Sequence, residues 1–317
     1  MINVLITSFG SNTSIGVAKC LKDDGCFIIG TDSNPFYECN GFKFANIIEQ
    51  LPYYNNPLYE EKLLRIVKDH NINCIIPIHD KEIEVISKMK DEGRLENVNV
   101  SVNQFSIVKL CNDKAQINEL LKEIIHVPKV YTELSEDINF PIIIKDNDGV
   151  SSKDIKVILN KDDFKEKDFT NKIIQEYING EEYTVDCFSS YCDDNLFYYA
   201  VRKRVETKSG MSVKSVIVEN FTIGECCKKI HEILGYKGVS NIQFIVKNDI
   251  PYFIEINPRF AGGGILTYKS GYNFPLMTIN ELCNNKIDSE AKLQIGNKMV
   301  RYYEETFFNE SNDCIRL

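Results

Sequence analysis

Gln243, Glu255, Asn257 and Arg259 fall within the stretch Asn241 to Gly264, N-I-Q-F-I-V-K-N-D-I-P-Y-F-I-E-I-N-P-R-F-A-G-G-G. The runs 242–246 and 252–256 are rich in β-branched and aromatic residues and flank Asn248-Asp249, which predicts a hairpin with a two-residue turn. Residues two apart in a strand share a face, so Glu255 and Asn257 point the same way and can reach one ion. Pro258 stops the ladder and releases Arg259 beside them. A carboxylate with two amides, from Glu255, Asn257 and Gln243, suits magnesium, which takes a few protein oxygens and completes its shell with phosphate and water. Zinc would call for His or Cys. The same residues also fit an ordinary Asn-Pro turn with a solvated edge Glu, so the rest of the chain must decide.

Cationic and hydroxyl-bearing residues recur upstream. Lys114 follows Asn112-Asp113, either of which can cap a helix carrying Ile117, Leu120, Leu121 and Ile124 at helical spacing until Pro128 bars it. A cation at the positive end of a helix makes sense if an anion binds nearby. The apolar strand Pro141-Ile142-Ile143-Ile144 delivers Lys145 into the loop D-N-D-G-V-S-S-K-D, where Gly149, Ser151, Ser152 and Lys153 can fold over phosphates through backbone N–H groups. No Walker pattern is present, and a polar hairpin turn explains the loop equally well. Segment 173–186 reads as two strands about Gly180, joining a small unit to a larger antiparallel sheet. Such a hinge offers backbone groups to a purine edge, and Glu182 can accept from ribose hydroxyls. Arg202, Lys203, Arg204 and Lys208, followed by Gly210, form a basic cluster. Arg202 and Arg204 share a strand face and can aim at a carboxylate or phosphate, with Lys203 turned away; the alternative is a charged edge that deters strand pairing.

These residues need a scaffold, and 317 residues with 43% hydrophobic content suffice for two or three packed units. A net charge of -9 argues against nucleic acid or an anionic membrane as the main partner. Eleven Cys without a Cys-x-x-Cys pair suit reduced thiols, and the N-terminal residues lack a signal-peptide pattern, so a cytoplasmic protein is expected. Short apolar runs at 2–7, 27–31, 74–78 and 99–102 alternate with helical patterns at 14–24, 58–70 and 82–92, predicting a parallel α/β sheet. The turn T-S-F-G-S-N-T-S-I-G, with Asp32 ending the second strand, approaches a dinucleotide-binding start, but Gly10 and Gly16 miss the G-x-G-x-x-G spacing. A scaffolding role is expected instead. Tyr268 and Tyr272 are expected as walls of the substrate pocket, and Gly262-Gly263-Gly264 as backbone donors.

In order and spacing, Lys114, Lys145, Ser152, Glu176, Glu182, Gln243, Glu255, Asn257 and Arg259 resemble the ATP-grasp superfamily, in its carbamoyl-phosphate-synthase-like branch. The segments Q-E-Y-I-x-G-x-E-Y and E-I-N-P-R carry the resemblance most strongly. It implies a pre-ATP-grasp α/β domain at 1–110, a small lid subdomain at 111–179 and a large α+β subdomain with the metal site at 180–317. It further implies that Lys114 and Lys145 contact ATP phosphates beneath a closing loop around Ser152 and Lys153. Gln175, Glu176, Tyr177 and Ile178 would receive adenine, and Glu182 the ribose. Gln243, Glu255 and Asn257 would hold magnesium, two ions, with manganese as a substitute, while Arg259 would act on the transferring phosphoryl group and Arg204 on the substrate. The implied reaction joins a small-molecule carboxylate to an amine through an acyl phosphate, with a homodimer compatible and neither nucleic acid nor membrane as partner. Alternatives are a carbamoyl-phosphate-synthase-like phosphorylation of bicarbonate or another small acid, and a non-catalytic ATP sensor. Lys145-Asp146 replaces the usual Lys-Pro, and Asp146 and Asp148 set extra negative charge near the phosphates.

Overall fold

The computed structural model describes residues 1–131, 138–148, 155–164, 170–208, 210–288 and 290–315. The first unit comprises β1 (Asn3–Ile6), α1 (Asn12–Lys22), β2 (Phe27–Asp32), β3 (Ile47–Gln50), α2 (Tyr59–Asp69), β4 (Cys74–Ile76), α3 (Asp80–Asp91) and β5 (Asn99–Val100). Its strands are all parallel in the order β3-β2-β1-β4-β5. Strands covered on both faces must be apolar throughout. Val4 and Ile6 pack with Ile28, Val17 and Leu21 on one side, and Leu5 and Ile29 pack with Tyr59, Leu63 and Ile86 on the other. The sequence reading missed β3, whose short run I-I-E-Q has only partly buried apolar residues.

The strand order turns between β1 and β4, so the loops at their carboxyl ends open at one switch point. Ser11 caps α1 there, its hydroxyl accepting from Ser14 N at 3.2 Å, and Asp32 accepts from Gly10 N at 2.7 Å. Asp32 thus ties its own loop, which is a scaffolding use of the position.

Two helices lead into the second unit: α4 (Phe105–Asn112) and α5 (Lys114–Leu121). Asp113 ends the first and caps the second, its carboxylate accepting from Gln116 N at 2.9 Å. Of the expected apolar face, Ile117 and Leu121 are buried, while Leu120 and Ile124 are exposed. The small sheet, β6 (Val130–Tyr131), β7 (Ile142–Asp146), β8 (Lys156–Ile158) and β9 (Lys172–Glu176), is antiparallel in the order β6-β9-β7-β8 over a core of Tyr131, Ile142, Ile144 and Ile174.

The third unit contains β10 (Glu181–Ser189), β11 (Phe197–Lys208), β12 (Met211–Val218), α6 (Phe221–Leu234), β13 (Gly238–Lys247), β14 (Ile250–Asn257), α7 (Gly264–Lys269), α8 (Phe274–Leu282) and β15 (Lys298–Val300). Its antiparallel order is β14-β13-β10-β11-β12-β15. Alternation makes one face apolar: Val185, Val201, Ile242, Phe244 and Ile256 pack under Ile223, Cys227 and Ile230 of α6. The β13–β14 turn forms at Asn248 and Asp249, both at positive φ (51° and 61°), the conformation a tight hairpin favours and Asn and Asp tolerate. Phe188, Phe260 and Phe274 of this unit join the core on the α1 side of the first sheet, so the two units share one interior. The eleven thiols are free of disulfides.

Candidate active site

The second face of the six-stranded sheet carries a polar row. Backbone register aligns Glu255 with Gln243, Gln243 with Thr184, and Thr184 with Arg202. One step along, Asn257 faces Asn241 and Asn241 faces Asp186. With the opposite face filled by the apolar core, this row opens into a cleft of ≈ 300 Å³. Its walls also include Ser8, Asn12 and Thr13 from the first unit, His79 and Asp80 after β4, Lys114, Asp148, Arg204, Arg259, Gly262 and Arg301.

Glu255 sits at the centre of the row. Its Oε1 accepts from Gln243 Nε2 at 2.8 Å and from Asn257 Nδ2 at 3.2 Å. Asn257 Oδ1 accepts in turn from Arg259 Nη2 at 3.2 Å, and Arg259 Nε donates to Asp80 Oδ1 at 2.9 Å. The four hairpin residues are therefore brought together as the spacing predicts. Asp80, at the start of α3 and largely buried, was not foreseen as the counter-ion that aims Arg259. Among the described residues no three His, Cys, Asp or Glu side chains gather as a metal cage. The donor set here, one carboxylate with neighbouring amide oxygens, fits a hard cation that takes its remaining ligands from phosphate and water.

The charges of Lys114 and Glu255 both act on Lys145. Asn147 joins the two lysine segments: Lys114 N and Nζ each donate to its carbonyl at 3.3 Å, its Oδ1 accepts from Ala115 N at 2.8 Å, and its Nδ2 donates to Asp113 at 3.0 Å. The loop after β7 is thus docked on the first turn of α5. Both lysines are buried. Burial pushes the Lys145 ammonium down to about 8; Glu255 pulls it back up, and Lys114 lowers it further. The acids flanking Lys145 are occupied: Asp146 pairs with Lys172 at 2.6 Å, and Asp148 accepts from Asn171 at 2.5 Å and lies 3.8 Å from Lys81. This offsets the electrostatic penalty expected from the sequence. Ser152 and Lys153, with Gly149 and Ser151, lie outside the described residues.

The basic cluster divides. Strand β11 is interior to its sheet, so the edge-protecting alternative fails. Arg202 is fully buried and bound by both ends to Asp186, from Nε at 2.8 Å and Nη2 at 2.7 Å, which removes it from the role of a mobile anion clamp. Its Nη1 lies against Gly263, where a Cβ would fall 2.2 Å away, so glycine is required by close approach. Lys203 points away and pairs with Glu181, as alternation predicts, while Lys208 stays exposed. Arg204 enters the cleft, donating to Gln243 Oε1 at 3.3 Å and to Gly210 O at 2.6 Å, and lies 3.2 Å from Glu182.

Gln175, Glu176, Tyr177 and Ile178 form the end of β9 and the turn into β10. Glu176 N donates to Lys129 O at 2.8 Å and Tyr177 N to Pro141 O at 3.1 Å, which fixes the crossover between the two sheets. The Gln175 side chain is interior and its Nε2 has no partner among the described residues. Glu182, half-exposed, stands beside Arg204. Tyr268 and Tyr272 do not wall the cleft: the Tyr268 hydroxyl donates to Asp23, and Tyr272 stacks on Phe274 within the core. Their spacing after Arg259 put them near in sequence, but α7 carries them to the far side.

Residues 4–102 match the family described as "PylC-like, N-terminal domain", and residues 168–305 match "ATP-grasp in the biosynthetic pathway with Ter operon". Carbamoyl-phosphate synthase of Methanobrevibacter smithii is 25% identical over 75% of this chain and 70% of its own length. A Clostridium botulinum carbamoyl phosphate synthase large chain is 24% identical over 78% of this chain, which spans 25% of that protein. Among solved structures, Campylobacter jejuni biotin carboxylase in a β,γ-ATP complex superposes with a TM-score of 0.75 at 14% identity, covering 92% of this chain and 74% of that one. N5-carboxyaminoimidazole ribonucleotide synthetase of Thermotoga maritima gives 0.72 at 18%, covering 97% and 82%. A parallel α/β unit and a small antiparallel sheet closing on a larger one across a cationic cleft define the ATP-grasp architecture. The chain has the ATP-grasp fold, and residues 168–305 are similar to an ATP-grasp family.

Proposed function

We propose that the chain is an ATP-dependent ligase that joins a carboxylate to an amine, with residues 1–110 as the pre-ATP-grasp domain, 111–179 as the lid and 180–317 as the large subdomain. The observation that carries this reading is the convergence of Glu255, Asn257, Gln243 and Arg259 on one cleft with Lys114. Lys114 and Lys145 hold ATP phosphates, Glu176 and Ile178 the adenine, and Glu182 the ribose. Glu255 and Asn257, with Gln243, hold magnesium, which when bound neutralises charge on the phosphates. A substrate carboxylate oxygen attacks the γ-phosphorus, and the bond to the bridging oxygen of ADP breaks. Arg259, held by Asp80, faces the three equatorial oxygens as charge spreads over them. The amine nitrogen then attacks the acyl carbon and loses a proton, and inorganic phosphate leaves with the former carboxylate oxygen. No protein nucleophile is required, and His79 is engaged as a helix cap, its Nδ1 accepting from Lys81 N at 3.2 Å.

The test is a pairwise screen of amino acids for ADP and phosphate release with ATP and magnesium. Release that depends on an added acid and amine supports ligation; tight ATP binding without turnover on any pair would leave a sensor. Two expectations accompany it. ATP affinity falls as pH rises through about 8, because a neutral Lys145 must regain its proton to meet a phosphate. Calorimetry in buffers of different ionisation enthalpy then shows proton uptake above that pH and none well below it, and Lys145→Arg abolishes the uptake. Arg204→Ala raises the Michaelis constant for the acid more than that for ATP; equal effects on both would remove its substrate role.

A further inference from the structure

The cleft holds a cation that the sequence pattern did not reveal. Arg301 follows β15, which pairs with β12 through Lys214 and Val300. Its backbone N donates to Val213 O at 2.9 Å, and its guanidinium donates to Gly262 O, which fixes the side chain on the cleft wall. Among the described residues, none of the ion pairs involves Arg301. Arg204 stands on the same wall, with its Nε buried and without a partner among the described residues and a half-exposed Glu182 as its nearby carboxylate. Arg301 is held at Gly262 and Arg202 lies against the next residue, Gly263, while Arg204 shares the strand face of Arg202, so the guanidinium groups of Arg204 and Arg301 line one cleft and favour a bound anion there.

We infer that Arg204 and Arg301 anchor a spectator carboxylate, so that a small substrate of this enzyme carries a free carboxylate besides the group that reacts. Planar guanidinium forks match a carboxylate in two-point contact, which point-charge lysines do not. The charges of Lys114 and of Glu255 on β14 both act on Lys145, whereas Arg204 and Arg301 stand toward β11 and β12 across the sheet. Arg204 meets Gln243 at the edge of the metal end, and Arg301 carries the cationic wall on toward β12, so the cleft runs from a phosphate-and-metal end to a carboxylate end. The whole cleft measures ≈ 300 Å³, so a molecule held at the latter end is small. A simple α-amino acid, used as acid or as amine, meets this description. The inference rests on the ligase reading, because it takes the remaining space of the cleft as the substrate site.

The test titrates the full chain, loaded with ADP and magnesium, with each of the twenty amino acids, with the matching amino acid amides and with inorganic phosphate. At least one amino acid is expected to bind ten or more times tighter than its amide, on the order of the charge-assisted pairs lost. Arg301→Leu erases that preference without changing ADP affinity, and Arg301→Lys restores part of it. Equal binding of acid and amide, absence of amino acid binding, phosphate binding tighter than any amino acid, or a preference unchanged in Arg301→Leu overturns the inference. Turnover separates the two readings: amino-acid-dependent ADP release indifferent to Arg301 leaves the ligase standing without this anchor. An acid-over-amide binding preference without turnover on any pair keeps the anchor and sinks the ligase.

Discussion

Glu255→Gln is expected to lower magnesium-dependent ATP turnover by roughly 10²–10³-fold or more, the scale of losing one group that stabilises transition-state charge. Glu255 accepts from both Gln243 and Asn257, and Gln keeps an oxygen that can do the same, so the hairpin and its register persist. What disappears is the negative charge on which a cation depends. The measurement is coupled ADP release against magnesium concentration, with thermal unfolding as the control for folding. Undiminished turnover in a folded variant would remove the metal assignment from this hairpin.

Asp186→Ala is expected to destabilise the protein by about 3–5 kcal/mol, the cost of leaving one half of a buried ion pair uncompensated. Arg202 is 1% exposed and its bidentate partner is Asp186, which also accepts from Asn241 Nδ2 at 3.2 Å and from the Thr267 hydroxyl. Removing the carboxylate strands a guanidinium beneath the cleft floor. Urea unfolding reads the loss, and Asp186→Leu combined with Arg202→Met should recover most of it, because apolar groups of similar volume need no counter-charge. A loss under about 1 kcal/mol would mean that water reaches Arg202 more freely than its burial indicates.

The contrast between these two sites shows what the chain discloses in one dimension. Gln243, Glu255, Asn257 and Arg259 were legible because strand periodicity and the Asn248-Asp249 turn are local, and the hairpin found between 238 and 257 follows from them. The parallel α/β unit was legible for the same reason, as alternating apolar runs and capped helices. Partnerships across large separations were not. Asp80 meets Arg259 from 179 residues away, Asn147 joins two elements 32 to 34 residues apart, and Arg301 reaches Gly262 through a late edge strand. No periodicity encodes such encounters, since they depend on how separate sheets pack. Arg202 was misjudged on that account: its strand face was read correctly, but the carboxylate beside it comes from β10 and is set by register alone. Helix α6 was passed over because its sequence, F-T-I-G-E-C-C-K-K-I-H-E-I-L, mixes a glycine and two thiols into an amphipathic pattern.

The Asp80–Arg259 pair also bears on evolution by recombination. Exchanging the first unit while keeping the rest of the chain removes this contact. The carboxylate that holds Arg259 belongs to that unit, and it stands at the head of α3 where the parallel sheet turns. A foreign domain grafted at this junction would have to supply an acid at the same spot. The two parts are thus free to diverge elsewhere but must change together at this contact.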